Sequence, residues 1–313
     1  MIQPHIIVFG SINMDLVAKT PRLPIPGETL LGHSFSTAPG GKGANQAVAV
    51  ARLGVPTWMI GRVGGDGFGA DLLAGLQKAG VNTEQVSVDQ SSHSGVAMIA
   101  VDDRSENHII VIPGANGRVD ETDINRLIDQ LPGAIALLLQ FEIPLSVVYL
   151  AAQAAHKAGV RVILDPAPAS SEVPAELYAL VDIMTPNAVE AEQLVGFRIN
   201  DLETAAQAAT VLRQRGVKTA IIKLGSKGVF CATGEEAFFI PAFQVEAVDT
   251  VAAGDSFNGG LATALAEGHS IQQAVTWGAA AGALAATKAG AQSSLPDRTT
   301  FDAFLKSHAP LLR

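Results

Sequence analysis

Residues 135–164 read IALLLQFEIPLSVVYLAAQAAHKAGVRVIL, and the rhythm of this stretch decides the fold. Ile135–Leu139 and Val160–Leu164 are apolar runs of strand length, while Leu145–Lys157 between them has helical spacing. Strand, helix and strand in that order predict a crossover unit whose strands lie parallel in one sheet. The pattern continues outward in both directions. His5–Phe9, Thr57–Ile60 and Ala220–Leu224 are further strand candidates, and Ala44–Leu53, Phe68–Ala79 and Leu202–Arg213 are further helices. Repetition of the unit predicts a doubly wound α/β sheet with its ligands at the carboxyl ends of the strands.

Composition narrows the function. The chain has 313 residues, 48% of them hydrophobic and 16% charged, which suits a compact globule with a substantial core. Length alone admits one large α/β domain or two smaller ones. A net charge of −9 argues against nucleic acid as a partner, because phosphate backbones call for a basic face. It leaves room for a small phosphorylated ligand held by backbone amides. Cys231 is the sole cysteine, so an intrachain disulfide and a cysteine-rich zinc site are excluded. Within the apolar run Val229–Ala232 it reads as a buried, inert thiol. The seven histidines form no HExxH-type pair. Met1-Ile2-Gln3-Pro4-His5 has no cationic segment ahead of a long apolar run, and Ala274–Ala286 is too short and glycine-interrupted to span a bilayer. No membrane partner and a cytoplasmic location are therefore expected.

Two regions break the rhythm. Met14–Ser36 carries prolines at 21, 24 and 26 and no good helix, and Ser94–Ile112 reads as strands Gly95–Val101 and His108–Ile112 around the polar turn Asp102-Asp103-Arg104-Ser105. Together they predict a small antiparallel sheet standing off the main body. It is either a lid over the strand ends or ordinary hairpin decoration.

Several clusters can carry chemistry. In Pro39-Gly40-Gly41-Lys42-Gly43-Ala44-Asn45-Gln46-Ala47, three glycines let a backbone approach closely, and the following helix would point free amides at a ligand. A plain glycine turn opening a helix is the alternative. The stretch matches neither GxxxxGK[ST] nor GxGxxG, and Gly64–Gly69 misses that spacing too. In Asp249-Thr250-Val251-Ala252-Ala253-Gly254-Asp255-Ser256-Phe257-Asn258-Gly259-Gly260, small residues before an Ala-rich helix would expose amides able to stabilise a transferring phosphoryl group. Asp255 there is either a base for a bound hydroxyl or a helix cap. Asn13 and Asp15 alternate just after the first strand, where they face sugar hydroxyls or simply build a turn, and Glu142 has the same two readings. Asn187 and Glu190, one turn apart at another strand end, share a Mg²⁺ ion or its water, or cap a helix.

In order and spacing these clusters resemble the phosphofructokinase-B (ribokinase-like) family of carbohydrate kinases over essentially the whole chain. Gly40–Ala47 looks like the family's N-terminal signature and Asp249–Gly259 like its C-terminal one. Gly10-Ser11-Ile12-Asn13-Met14-Asp15, Gly114-Ala115-Asn116, Asp165-Pro166-Ala167-Pro168 and Gly290-Ala291-Gln292 are similar to its ribose-phosphorylating members. The resemblance implies one kinase domain over residues 1–313. Its core would be Rossmann-like, with a mostly parallel sheet, helices on both faces and a β-sheet lid from about 14–36 and 94–112, often clasped in a homodimer. It implies ATP-dependent phosphorylation of D-ribose at the 5-hydroxyl. Asn13, Asp15, Gly41, Lys42, Asn45 and Glu142 would hold the sugar, Asp255 would be the base, and amides of Ala252, Ala253 and Gly254 would form the anion hole. Asn187 and Glu190 would serve Mg²⁺ and phosphate, and Gly225, Ser226 and Gly228 would lie along the ATP. A monovalent cation, K⁺, would take Asp249, the carbonyls of Val251 and Gly290, and Ser294. Lys223 departs from the family's usual Thr; it reaches the ATP phosphates or ends a strand in solvent. Ala279 stands where some members place a His beside adenine. The rivals are a sister kinase for deoxyribose, another sugar or a nucleoside, and a non-catalytic sugar-binding regulator. A nicotinamide-dependent dehydrogenase is disfavoured by the missing GxGxxG.

Overall fold

Every residue of the first strand, β1 (His5–Phe9), is buried, because it lies inside a sheet whose two faces are both covered by helices. The computed structural model describes residues 3–104 and 106–308; residues 1, 2, 105 and 309–313 lie outside that range. Thirteen strands follow in chain order: β1, β2 (Asn13–Thr20), β3 (Ser34–Gly40), β4 (Thr57–Gly64), β5 (Val81–Asp89), β6 (Gly95–Asp102), β7 (Asn107–Ile112), β8 (Ala134–Leu139), β9 (Arg161–Leu164), β10 (Ile183–Met184), β11 (Thr219–Lys223), β12 (Gly228–Ala232) and β13 (Ala237–Pro241). The main sheet runs β13-β12-β11-β10-β9-β8-β1-β4-β5, parallel from β11 to β5 and antiparallel at the β11-β12-β13 edge.

Ten helices are described: α1 (Lys42–Arg52), α2 (Gly67–Lys78), α3 (Glu121–Gln130), α4 (Leu145–Lys157), α5 (Ala175–Tyr178), α6 (Ala188–Val195), α7 (Leu202–Gln214), α8 (Ala253–Ala266), α9 (Ile271–Ala286) and α10 (Arg298–Ser307). The period of two along β1 sorts them. Ile7 and Phe9 join a core with Leu127 of α3, Val148 of α4 and Leu212 of α7, whereas Ile6 and Val8 join one with Val48 of α1, Leu261 of α8 and Val275 of α9. Helices α8 and α9 pack so closely that a Cβ on Gly260 would lie 2.7 Å from the Trp277 carbonyl oxygen. No described helix is long and apolar enough to cross a membrane.

The small sheet has the order β3-β2-β6-β7. Its two hairpin pairs are antiparallel, but β2 and β6 run parallel to each other, so the expectation of a wholly antiparallel sheet is corrected. The reason is topological. Strands β2 and β6 each continue outward from a parallel strand of the main sheet, β1 and β5, and so leave the body in one direction.

Candidate active site

Helix α1 starts on Gly41 at φ 88°, in the left-handed region where glycine is favoured. A Cβ at this position would stand 2.7 Å from the Asn13 amide nitrogen, so α1 is pressed against the turn that follows β1. Its first amides are not free. Lys42 donates its backbone N–H to Glu142 Oε2 (3.1 Å), Gly43 to Ser11 Oγ (3.3 Å) and Ala44 to the Ser11 carbonyl (2.9 Å). The reading in which these amides await a ligand is therefore corrected: the glycines serve close packing of the chain on itself.

Around this wall the polar side chains gather. Glu142 Oε2 also accepts from Ser11 Oγ (2.5 Å) and Asn13 Nδ2 (3.4 Å). Asn116 brackets Ile12 through both its amide atoms and donates to Asn13 Oδ1 (2.7 Å), which fixes the Asn13 amide with its nitrogen toward Glu142. Asp15, two residues along β2, has its carboxyl pushed up to about 7 by burial and then by the charges of Glu142 and Asp255. Burial disfavours the Lys42 ammonium, yet Asp255, Asp165, Glu142 and Glu190 together raise its proton affinity above the ordinary lysine value. It stays a cation. Asn13, Asp15, Gly41, Lys42, Asn45 and Glu142 thus come from β2, α1 and the β8–α4 loop into one group.

Asp255 lies in the first turn of α8, and the helix begins on Ala252 with φ 58° and ψ 8°. Among the described residues Ala252 is the one non-glycine residue with positive φ, a conformation costing roughly 1 kcal/mol. No side chain caps this helix. Asp255 accepts instead from Asn45 Nδ2 (2.9 Å) and Gln46 Nε2 (3.1 Å), so the helix-cap reading of Asp255 is not what the fold uses. The backbone amides of Ala252 and Gly254 have no acceptor among the described residues, while that of Ala253 donates to the Thr250 carbonyl at 3.2 Å. Burial pushes the Asp255 carboxyl up to about 6, opposed by Lys42, reinforced by Asp165, and opposed again by the two amide donors. A buried carboxylate with raised proton affinity beside unpaired amides can take a proton while neighbouring charge is stabilised.

Lys42 and Asp255 also line a cavity of about 490 Å³ that opens on the other side. Gly225, Ser226 and Gly228 border it where β11 turns into β12, and a Cβ on Gly225 would meet open space. Ala279, Gly282, Ala283 and Ala286 of α9, with Phe243, make a smooth apolar wall that suits the flat face of a base. Lys223 is not a solvated strand end. Its side chain is 13% exposed and its Nζ donates to Asp165 Oδ1 at 3.0 Å. Asn187 and Glu190 also border the cavity, and they form a reciprocal capping box at the start of α6: Asn187 Oδ1 accepts from the Glu190 amide (2.9 Å) and Glu190 Oε2 from the Asn187 amide (2.7 Å). Their cap reading is what the fold uses. Burial, ahead of Asp165, raises the Glu190 carboxyl.

Near the start of α8, Asp249 ties two loops together by accepting from the amides of Val251 (3.0 Å) and Gly290 (2.9 Å). The carbonyls of Val251 and Gly290 therefore sit on adjoining loops. Ser294 is buried and donates to the Ala291 carbonyl at 2.8 Å. This all-oxygen set with a single carboxylate fits a weakly charged hard cation better than a transition metal. No cluster of three or more His, Cys, Asp or Glu suited to a metal occurs among the described residues. Cys231 is fully buried, and burial, followed by Glu236, pushes its thiol up to about 12.

Four residues with no role read from sequence complete the site. Gln46 Nε2 bridges Asp255 and Asp165 Oδ2 (3.0 Å), and Gln46 Oε1 accepts from Gln140 Nε2 (2.7 Å). Asn116 holds Asn13. The available signal was polarity out of place: Gln140 and Asp165 each end an apolar strand run.

Comparison with known proteins agrees with this fold. Residues 3–298 match the pfkB family carbohydrate kinase model. The chain is 44% identical over 299 residues to a ribokinase of Haemophilus influenzae, covering 96% of this chain and 97% of that one. It is 36% identical over 300 residues to a deoxyribokinase of Salmonella typhi, covering 96% and 98%. Its fold superposes with a TM-score of 0.89 on the structure of Arabidopsis thaliana ribokinase complexed with ribose and ATP, at 34% identity and covering 97% and 99% of the two chains. The chain belongs to the pfkB family of carbohydrate kinases.

Proposed function

We propose that this chain transfers the γ-phosphoryl group of ATP to the 5-hydroxyl of D-ribose, giving D-ribose 5-phosphate and ADP. The observation that carries the reading is Asp255: a buried carboxylate of raised proton affinity, set between the polar group around Glu142 and the cavity beside Lys223. Asn13, Asp15, Gly41, Lys42, Asn45 and Glu142 orient the sugar. Asp255 takes the proton from the hydroxyl, whose oxygen forms the new bond to phosphorus as the bond to ADP breaks. The amides at Ala252, Ala253 and Gly254 face the negative charge in flight; that of Ala253 exchanges its long turn contact for a phosphoryl oxygen. Lys223, Asn187, Gly225, Ser226 and Gly228 hold the nucleotide. Mg²⁺, when bound with the phosphates, would supply charge neutralisation, and Glu190 and Asn187, whose own atoms are engaged in the capping box, would hold it through water. Identity of 44% to a ribokinase against 36% to a deoxyribokinase supports ribose over 2-deoxyribose as the substrate, and so does the dense polar group around Glu142.

Product analysis by NMR after incubation with ATP, Mg²⁺, K⁺ and a sugar panel tests this. Ribose 5-phosphate is expected, with kcat/KM for ribose at least about tenfold above that for 2-deoxyribose. Absence of ADP release with ribose, or the reverse preference, contradicts it. K⁺ bound at Asp249, Val251, Gly290 and Ser294 would brace the loop before α8, so K⁺ should activate more than Na⁺; equal rates remove that site. The whole chain acts as one kinase domain with the small sheet as its lid, in the cytoplasm, where ATP is available. The lid leaves Phe35, Met98 and Ile110 at 66%, 50% and 62% exposure, which supports a homodimer clasped through it. Light scattering should give a dimer that Ile110→Lys dissociates; a wild-type monomer contradicts this.

A further inference from the structure

Lys223, Asp165, Gln46 and Asp255 form an unbroken chain of contacts. Lys223 Nζ donates to Asp165 Oδ1 (3.0 Å), and one Gln46 Nε2 donates to both Asp165 Oδ2 (3.0 Å) and Asp255 Oδ1 (3.1 Å). Gln140, by donating to Gln46 Oε1, forces the Gln46 nitrogen toward the two carboxylates. Each amide hydrogen of Gln46 is used, as are both oxygens of Asp165. Lys223 differs. Its ammonium has three donors, and Asp165 is its hydrogen-bond acceptor among the described residues. Its Nζ lies 3.3 Å from where a Cβ on Gly254 would sit, beside the amides that start α8 and on the cavity wall. A cation present only to neutralise a buried Asp165 would not need to stand there.

We propose that Asp165 is a positioning residue for phosphoryl transfer: it stores Lys223 beside the anion hole until a polyphosphate arrives, and through the shared Gln46 amide it couples that hand-off to the base, Asp255. This rests on the reading of Asp255 as the base. As Lys223 turns its charge toward phosphate, Asp165 is left less neutralised, and a less neutralised carboxylate beside Asp255 makes Asp255 a stronger base. The groups that face Asp255 are Lys42, Asn45 and Gln46 from α1, Asp15 from β2 and Asp165 after β9, with Glu142 and Glu190 acting on the same Lys42. Of the two cations, Lys42 neighbours four carboxylates, whereas Lys223 pairs directly with Asp165 and its charge also acts on Glu190.

The test is the pH profile of kcat/KM for ATP at saturating ribose, which reports the enzyme before the hand-off, for the full-length enzyme, wild type against Asp165→Asn and Lys223→Met. Removing the Asp165 charge should move the acid limb down by about half a pH unit or more, and removing Lys223 should move it up by a similar amount. Ribose KM should stay within about twofold in both, while ATP KM rises about tenfold in Lys223→Met and is largely restored in Lys223→Arg. Limbs that stay put or move in the same direction, or an unchanged ATP KM in Lys223→Met, overturn the proposal. Lys223 is on the cavity wall, so its variant decides the matter alone if Asp165→Asn does not fold. Asp255→Asn separates the two layers. If it keeps near wild-type kcat the base reading itself fails; if it is inactive and the limbs do not move, only this inference fails.

Discussion

Helices α1 and α8 both begin at the site, and neither has a side-chain cap. Most of their neighbours are different: α2, α3, α6, α7, α9 and α10 each start with Asp, Asn or Ser accepting from an amide of the first turn. Counted by caps alone, these two helix starts offer two anion sites. At α1, however, Ser11 and Glu142 take the first amides, so that start is a closed wall beside the polar group around Glu142. At α8 the amides of Ala252 and Gly254 are left without acceptors. The backbone around α8 also carries strain at Ala252, where α1 uses a glycine. Absence of a cap identifies a functional helix start only when the surrounding acceptors are also counted.

Substitutions can break this contrast. Gly41→Ala puts a Cβ against the Asn13 amide at φ 88° and should destabilise the fold by about 3 kcal/mol, read as a denaturation midpoint. A midpoint unchanged from wild type would show that α1 is not pressed against the β1–β2 turn. Gly254→Ala meets only the end of the Lys223 side chain, at 3.3 Å. Its midpoint should stay near wild type while ATP KM rises by roughly 1 kcal/mol equivalent, or about fivefold, with ribose KM unaffected. Ala252→Gly should do least, raising stability by up to about 1 kcal/mol as the left-handed strain is relieved. A loss of stability there would mean the conformation is held by something other than the demands of the site.

Much of this was legible in the sequence. The helix Leu145–Lys157 and the strand His5–Phe9 were read with their observed ends, because one is bounded by Pro144 and Gly159 and the other is a dense apolar run. Strands β5 and β13 were not read. Val81–Asp89 is mostly polar because it is the half-exposed edge of the sheet, and Ala237–Pro241 is a five-residue edge strand. The residue types of the site could be seen, but not how they are wired. Gln46, Asp165 and Asp255 are separated by 119 and 209 positions along the pairs that Gln46 joins, and only the fold brings them to one amide. The capped or uncapped state of α6 and α8 also depends on partners that local sequence does not reveal.

The central claim is that Asp255 removes the proton from the sugar hydroxyl. The measurement that tests it most directly is kcat for Asp255→Asn, alongside calorimetric ribose affinity and the pH dependence of the wild type. With Asp255 pushed up to about 6, wild-type kcat should rise with pH through that region as the base loses its proton. The sign for stability is the opposite. The folded state holds this proton more tightly than the unfolded chain, so the Asp255 contribution to stability is lost as pH rises through about 6. Asp255→Asn should lower kcat by at least ~10²-fold and remove the limb near pH 6, with ribose affinity nearly intact. A variant that turns over near the wild-type rate would contradict it.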